Sequence, residues 1–191
     1  MATAVILAGG ESRRMGRDKL VLPINGETLL VSAVKRFSAE FGDVFLSLAD
    51  ADKYPDVAVR RVVDIFPGAG PLSGLHAALS SAPGEGVFLV AADLPFSSPK
   101  AALRMIELCG AGEACVIMLP NGNLEPLFAY YKKALLPLCE EAIRSGDYRM
   151  SHIIQGADTR FVSPQDFGEL WDERMILNIN FPYDYKKLVG E

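Results

Sequence analysis

Histidine and cysteine, the side chains most often recruited for metal binding and nucleophilic catalysis, are scarce here, with two and three copies among 191 residues. His76 and His152 fall in helical runs, "GLHAAL" and "RMSHII", where core or surface positions are expected, and two histidines are too few for a zinc site. Cys109, Cys115 and Cys139 have neither CxxC spacing nor a histidine beside them, so buried reduced thiols are expected rather than a disulfide framework. Long basic runs are missing too. Nothing exceeds the pairs Arg13-Arg14, Arg60-Arg61 and Lys132-Lys133, and the formal net charge is −5, which removes the global electrostatic case for nucleic acid. No stretch approaches the roughly eighteen consecutive apolar residues of a membrane span, and "MATAVILAGG" has no basic leader region; a cytoplasmic protein without a membrane partner is expected.

What is present is the make-up of one globular domain spanning residues 1–191, with 50% hydrophobic and 23% charged residues. Apolar runs at "TAVIL", "DVFLSLA", "RRVVD", "GVFLVAAD" and "ACVIML" alternate with segments of helical period or turn residues. That alternation predicts an α/β fold with a mostly parallel sheet. Leu30, Val34, Phe37 and Phe41 recur on one face of a helix over roughly 27–41. "PLSGLHAAL" opens a helix with Pro71 in its first turn, and "SSPKAALRMIELCG" supplies Ser98 as cap, Pro99 at the first helical position and Gly110 as the stop. "LPNGNLEPLFAYY" predicts a turn at Asn121-Gly122 and then a strand, in which Pro126 points to an edge or a bulge.

Three segments carry chemistry. "LAGGESRRMGRDK", Leu7 to Lys19, follows the first apolar run with three glycines and the cations Arg13, Arg14, Arg17 and Lys19. A glycine-rich turn lets backbone N–H groups face a concavity, and four cations in an acidic protein suit a polyphosphate; a solvated basic turn is the plainer alternative. The P-loop spacing and the dinucleotide pattern GxGxxG are both absent. Asp64 and Asp93 end two strand runs, at the sheet edge where open parallel sheets bind ligands, and two such carboxylates beside phosphates imply a magnesium ion; the alternative for each is a cap or turn. Gly68, Gly70 and Gly74 surround the start of a predicted helix, where free N–H groups and the helix dipole favour an anion or a carbonyl-rich base.

Together with "GPLSG", "ADLPF", "EPLFAYY" and "NINFPYDY", in that order over nearly the whole chain, the first segment resembles the molybdenum cofactor guanylyltransferase family. The resemblance implies a Rossmann-like α/β fold and magnesium-dependent transfer of GMP from GTP to the terminal phosphate of molybdopterin. It implies that Leu7, Ala8, Gly9 and Gly10 contact the guanine nucleotide, as do Asp64, Pro71, Leu72 and Gly74. Lys19 and Arg13 would act on the phosphates, and Asp93 on both nucleotide and metal. Glu125, Arg149, Asn178 and Asn180 would lie on the pterin side, and molybdoenzymes or their chaperones would receive the product. A cytidylyltransferase of the same cofactor, a sugar-1-phosphate nucleotidyltransferase and a non-catalytic nucleotide-binding regulator are the rival readings. Two departures stand out. Ser47 and Ala49 replace an N-x-N common in the family, so one nucleotide contact is expected to change, and the C-terminal "NTP" reads "NFP", with Phe181 in place of a hydroxyl.

Overall fold

The computed structural model describes residues 2–9, 18–24 and 26–189. The apolar runs form β1 (Thr3–Leu7), β4 (Val44–Leu48), β5 (Arg60–Val63), β6 (Gly86–Ala91) and β7 (Ala114–Met118) of a seven-stranded sheet. Two further strands, β8 (Leu124–Lys132) and β9 (Thr159–Val162), complete the order β5-β4-β1-β6-β8-β7-β9. Only β8 runs against the rest. Successive strands step outward from β1 to β4 and β5, and the chain then crosses back to place β6 on the other side of β1. That reversal leaves a crevice between the carboxyl ends of β1 and β6, the topological switch point at which open α/β sheets bind ligands.

Both faces of the sheet are covered, which is why its strands read as continuous apolar runs. α1 (Leu29–Ser38) and α3 (Pro99–Cys109) bury Leu30, Phe37, Ala101 and Met105 against Ile6, Leu46 and Phe88. α2 (Pro71–Ser81), α4 (Leu136–Ser145) and α5 (Met150–Gly156) pack Leu75, Cys139 and Ile153 on Val5, Leu89 and Tyr131. All three cysteines are buried free thiols. No helix among the described residues is long and apolar enough to cross a membrane.

The predicted caps are in place: Ser98 Oγ accepts from the Ala101 N–H (3.3 Å), and Pro71 and Pro99 occupy first-turn positions. α1 begins two residues later than its apolar spacing suggests. Glu27–Thr28 forms a short strand, β3, with β2 (Pro23–Ile24), and Thr28 caps the helix by accepting from the Val31 N–H. Phe41 lies beyond the helix yet keeps its face, its ring 5.8 Å from that of Phe37. The Pro126 strand is no edge: β8 sits between β6 and β7, and the missing N–H is absorbed where the β7 register jumps from Val116↔Ala129 to Ile117↔Glu125.

Gly74 shows how closely α2 approaches the sheet. A Cβ there would lie 2.5 Å from Leu7 Cδ2 and 2.7 Å from Ser47 Oγ. Gly74→Ala must therefore lift α2 or displace the buried Ser47 and the half-buried Leu7 side chains, and overpacking of this kind costs about 1–3 kcal/mol. A lowered denaturant midpoint with an unchanged m-value is the expected outcome.

Candidate functional site

The site is assembled from the ends of β1 and β6 and from the C-terminal segment. Leu7 and Ala8 extend the ladder past β1, with the Ala8 N–H on the Ser47 carbonyl and the Ala92 N–H on the Leu7 carbonyl, both 3.0 Å. Gly9 is then exposed at the mouth of the crevice. Gly10 and Arg13 lie outside the described residues. The chain re-enters at Asp18, whose side chain caps a 3-10 turn over Lys19–Val21, and Lys19 projects back into the crevice.

There Lys19 Nζ pairs with Asp93 Oδ2 and also donates to the Ile179 carbonyl (3.0 Å) and to Asn180 Oδ1 (3.4 Å). Ile179 completes the tie by donating its N–H to the Asp93 carbonyl (3.1 Å). Asp93 caps no helix, since Ser98 fills that role for α3. Its second oxygen, Oδ1, is buried and has no hydrogen-bond partner among the described residues, which suits an oxygen held for a cation. No cluster of three histidine, cysteine or acidic side chains able to hold a metal occurs among the described residues.

Two more carboxylates lie at strand ends, Glu125 near Asp93 and Asp64 two strands out from β1. Asp64 follows β5, and burial raises its carboxyl to about 6. Glu125 sits on β8; burial pushes it up first and the nearby Asp93 charge adds to the rise, while the Leu127 N–H, 3.1 Å from Oε1, opposes it.

Of the predicted residues, Lys19, Asp93 and Asn180 meet directly, and Glu125 joins them through its charge. Asn178 is half-buried on the same C-terminal strap. Gly70 has φ 59°, which favours glycine, and stands at the start of α2; Pro71 is exposed beside it. Leu72 places its side chain in the core and Gly74 lies against the sheet, leaving the N–H groups of the helix's first turn as what this segment can offer a ligand. Ser47 is buried at 2% exposure beneath α2, so its hydroxyl does not reach the crevice. Arg149 is exposed, and its guanidinium is taken up by Asp147 at 2.8 and 2.6 Å.

Some supporting residues escaped the sequence reading. Arg36 reaches from α1 to the Leu94 carbonyl (3.2 Å) and Ser97 Oγ (3.1 Å), which holds the turn behind Asp93; burial lowers its pKa. Tyr54 donates to Asp18 Oδ2 (2.6 Å), next to Lys19. An arginine on an otherwise apolar helix face was the one available signal for the first, and nothing in the sequence marked the second.

An open, mostly parallel sheet with a lysine–aspartate pair at its switch point marks a nucleotidyltransferase of the α/β class. The chain belongs to the MobA-like NTP transferase domain family, whose match spans residues 4–165. A relative from Pelotomaculum thermopropionicum, described as a probable molybdenum cofactor guanylyltransferase, is 34% identical over 187 residues, 97% of this chain and 91% of its own. Molybdopterin-guanine dinucleotide biosynthesis protein A from Archaeoglobus fulgidus shares the fold with a TM-score of 0.85 at 22% identity, over 98% of this chain and 97% of that one. A Mycobacterium tuberculosis protein crystallised with manganese superposes with a TM-score of 0.68 at 19% identity, over 100% of this chain and 98% of its own.

The raised Asp64 carboxyl has a consequence for stability. A carboxylate whose folded pKa exceeds its unfolded value carries no penalty below about pH 4 and a full penalty above about pH 6, where the fold holds an ionised group that it desolvates. Asp64→Asn is therefore expected to raise the melting temperature of the nucleotide-free protein at pH 8 and to leave it unchanged at pH 4. An equal shift at both pH values would contradict the desolvation account.

Proposed function

We propose that the protein transfers GMP from GTP to the terminal phosphate of molybdopterin, giving molybdopterin guanine dinucleotide and pyrophosphate, and that residues 1–191 act in this as one unit. The observation that carries this reading is the Lys19–Asp93 pair at the switch point, with Asp93 Oδ1 left unpartnered and Asn180 in contact with the same ammonium. The guanylyltransferase description of the 34% identical relative supports the choice of nucleotide and acceptor.

Transfer brings a phosphomonoester dianion against a triphosphate, so repulsion and charge growth on the leaving pyrophosphate are the main obstacles. Lys19 supplies positive charge where that growth occurs, and its contacts to Ile179 and Asn180 hold it in place beforehand. In this reading Arg13 adds a second cation from the same loop. Main-chain groups at Leu7 to Gly9 that the sheet ladder leaves unused, and those at the start of α2 around Pro71 and Leu72, face the base in this reading. The nucleophile is already ionised, so no general base is needed. Accordingly neither histidine takes part: His76 is buried with Glu140 3.7 Å away, and His152 pairs with Asp147 at 3.0 Å. Asp93 would hold magnesium, which when bound withdraws charge from the phosphate oxygens. The manganese complex of the Mycobacterium tuberculosis structure supports a divalent ion in this fold.

Two experiments test the reading. In a screen of the four nucleoside triphosphates with molybdopterin as acceptor, GTP should release pyrophosphate and CTP should not, because a site that hydrogen-bonds one base leaves buried groups unpaired with another. Equal turnover of both would sink the guanine assignment. Asp93→Asn should lower kcat by about 10² to 10³ at saturating GTP, the usual loss when one preorganised electrostatic group is removed, and added magnesium should not restore it. Full activity at ordinary magnesium would overturn Asp93 as metal ligand.

A further inference from the structure

Tyr54 is the one non-glycine residue among the described residues with a left-handed backbone, φ 55°. A bulky side chain is disfavoured in that region, and Pro55 behind it would by itself draw the residue to extended backbone. Such strain persists only where the surroundings impose it, and it clusters beside functional sites. Here the surroundings are explicit. The connection from β4 to β5 forms neither helix nor strand and packs Tyr54, Val57 and Val59 on the core face that α1 also covers. Arg61, early in β5, gathers this segment: its guanidinium donates to the Ala51 and Lys53 carbonyls, both at 2.7 Å, and to the carbonyl of Tyr54 itself. Three acceptors on one rigid planar fork leave the backbone at Tyr54 little freedom to relax.

The imposed conformation secures one contact on the route to the transfer site. The Tyr54 hydroxyl donates to Asp18 Oδ2 at 2.6 Å, while Asp18 Oδ1 accepts the Leu20 N–H at 3.0 Å. Both carboxylate oxygens are thereby committed, which fixes the plane of the group that caps the 3-10 turn Lys19–Val21. Burial, and after it the Asp18 carboxylate, raises the phenol's pKa, so the hydroxyl remains a donor at neutral pH. We propose that Tyr54 is a positioning residue for Lys19: Arg61 holds it in the left-handed conformation so that its hydroxyl sets the Asp18 carboxylate and, through the turn Asp18 caps, the direction of the Lys19 ammonium. The hold on the turn stands on this geometry alone, whereas its consequence for turnover rests on the guanylyltransferase reading above.

Tyr54→Phe keeps the ring and its packing and removes only the hydroxyl. The Leu20 amide should then exchange its hydrogen about tenfold faster, the scale of one hydrogen bond to a charged acceptor, with amides of β1 and β6 unchanged. In guanylyl transfer, kcat should fall by about tenfold with the GTP KM unchanged, since the lost orientation acts on the transition state. Asp18→Ala should lose at least as much, and Tyr54→Phe added to it should lose no more, because the hydroxyl acts only through that carboxylate. Arg61→Ala, which leaves the hydroxyl in place, should shift Leu20 exchange and kcat in the same directions. A packing role alone would leave kcat and Leu20 exchange of Tyr54→Phe at wild-type values, and that result would overturn the proposal. Additive losses in the Asp18→Ala, Tyr54→Phe double variant would do so as well. Faster Leu20 exchange in a protein that transfers no guanylyl group would support the hold on the Lys19 turn while removing the functional reading.

Discussion

The ion pair between Lys19 and Asp93 joins parts of the chain 74 residues apart, and the Lys19 contact to Ile179 spans 160. With both side chains less than one-fifth exposed, the pair has little net stability to offer, because desolvating two charges offsets most of their attraction. Its consequence is positional. It fixes the return of the first loop, the end of β6 and the C-terminal strap against one another. Neutral interactions hold the strap independently of the charges: Ile179 donates its N–H to Asp93, and its side chain is fully buried with Leu22, Ile24 and Leu29. Burying one such side chain is worth about 1.5–3 kcal/mol, enough to keep the strap seated when ligands compete for Lys19 and Asp93.

Around this centre the structure adds orientation rather than reactivity. Arg36 satisfies carbonyl and hydroxyl groups in the turn after Asp93, and Arg61 does the same for the loop that carries Tyr54, with 2.7 Å contacts to the Ala51 and Lys53 carbonyls. Tyr54 in turn fixes Asp18. Each of these residues sits on a different element, and each restricts a loop bordering the crevice. That is the expected division of labour for phosphoryl-group transfer, in which positioning and fixed charge dominate and covalent chemistry by the protein is minor.

Most of the framework was legible because its signals are local. The apolar strands declare themselves by composition, Ser98 and Pro99 by capping chemistry, and Asp93 by ending a buried run. What was hidden depends on distant partners. Strand order decides whether Pro126 lies at an edge, and the hairpin of Pro23–Ile24 with Glu27–Thr28 is too short to leave a periodic pattern. The orientation of Ser47 follows from strand alternation once the helix that covers that face is known. The resemblance supplied the site residues, and the structure sorts them: Lys19, Asp93 and Asn180 converge, whereas Leu72 and Gly74 serve the core and the packing of α2.

The carboxylates set the final constraint. Glu125 lies near Asp93 and Asp64 ends the outer strand β5, in a protein of net charge −5, and burial already makes ionisation of both less favourable than in water. A polyphosphate approaching such carboxylates would meet repulsion without a cation, and Lys19 supplies one beside Asp93. Such cations act at short range, since salt screens exposed charges beyond about 8 Å. Lys19 is therefore a local device, and its pair with Asp93 fixes that charge at the switch point.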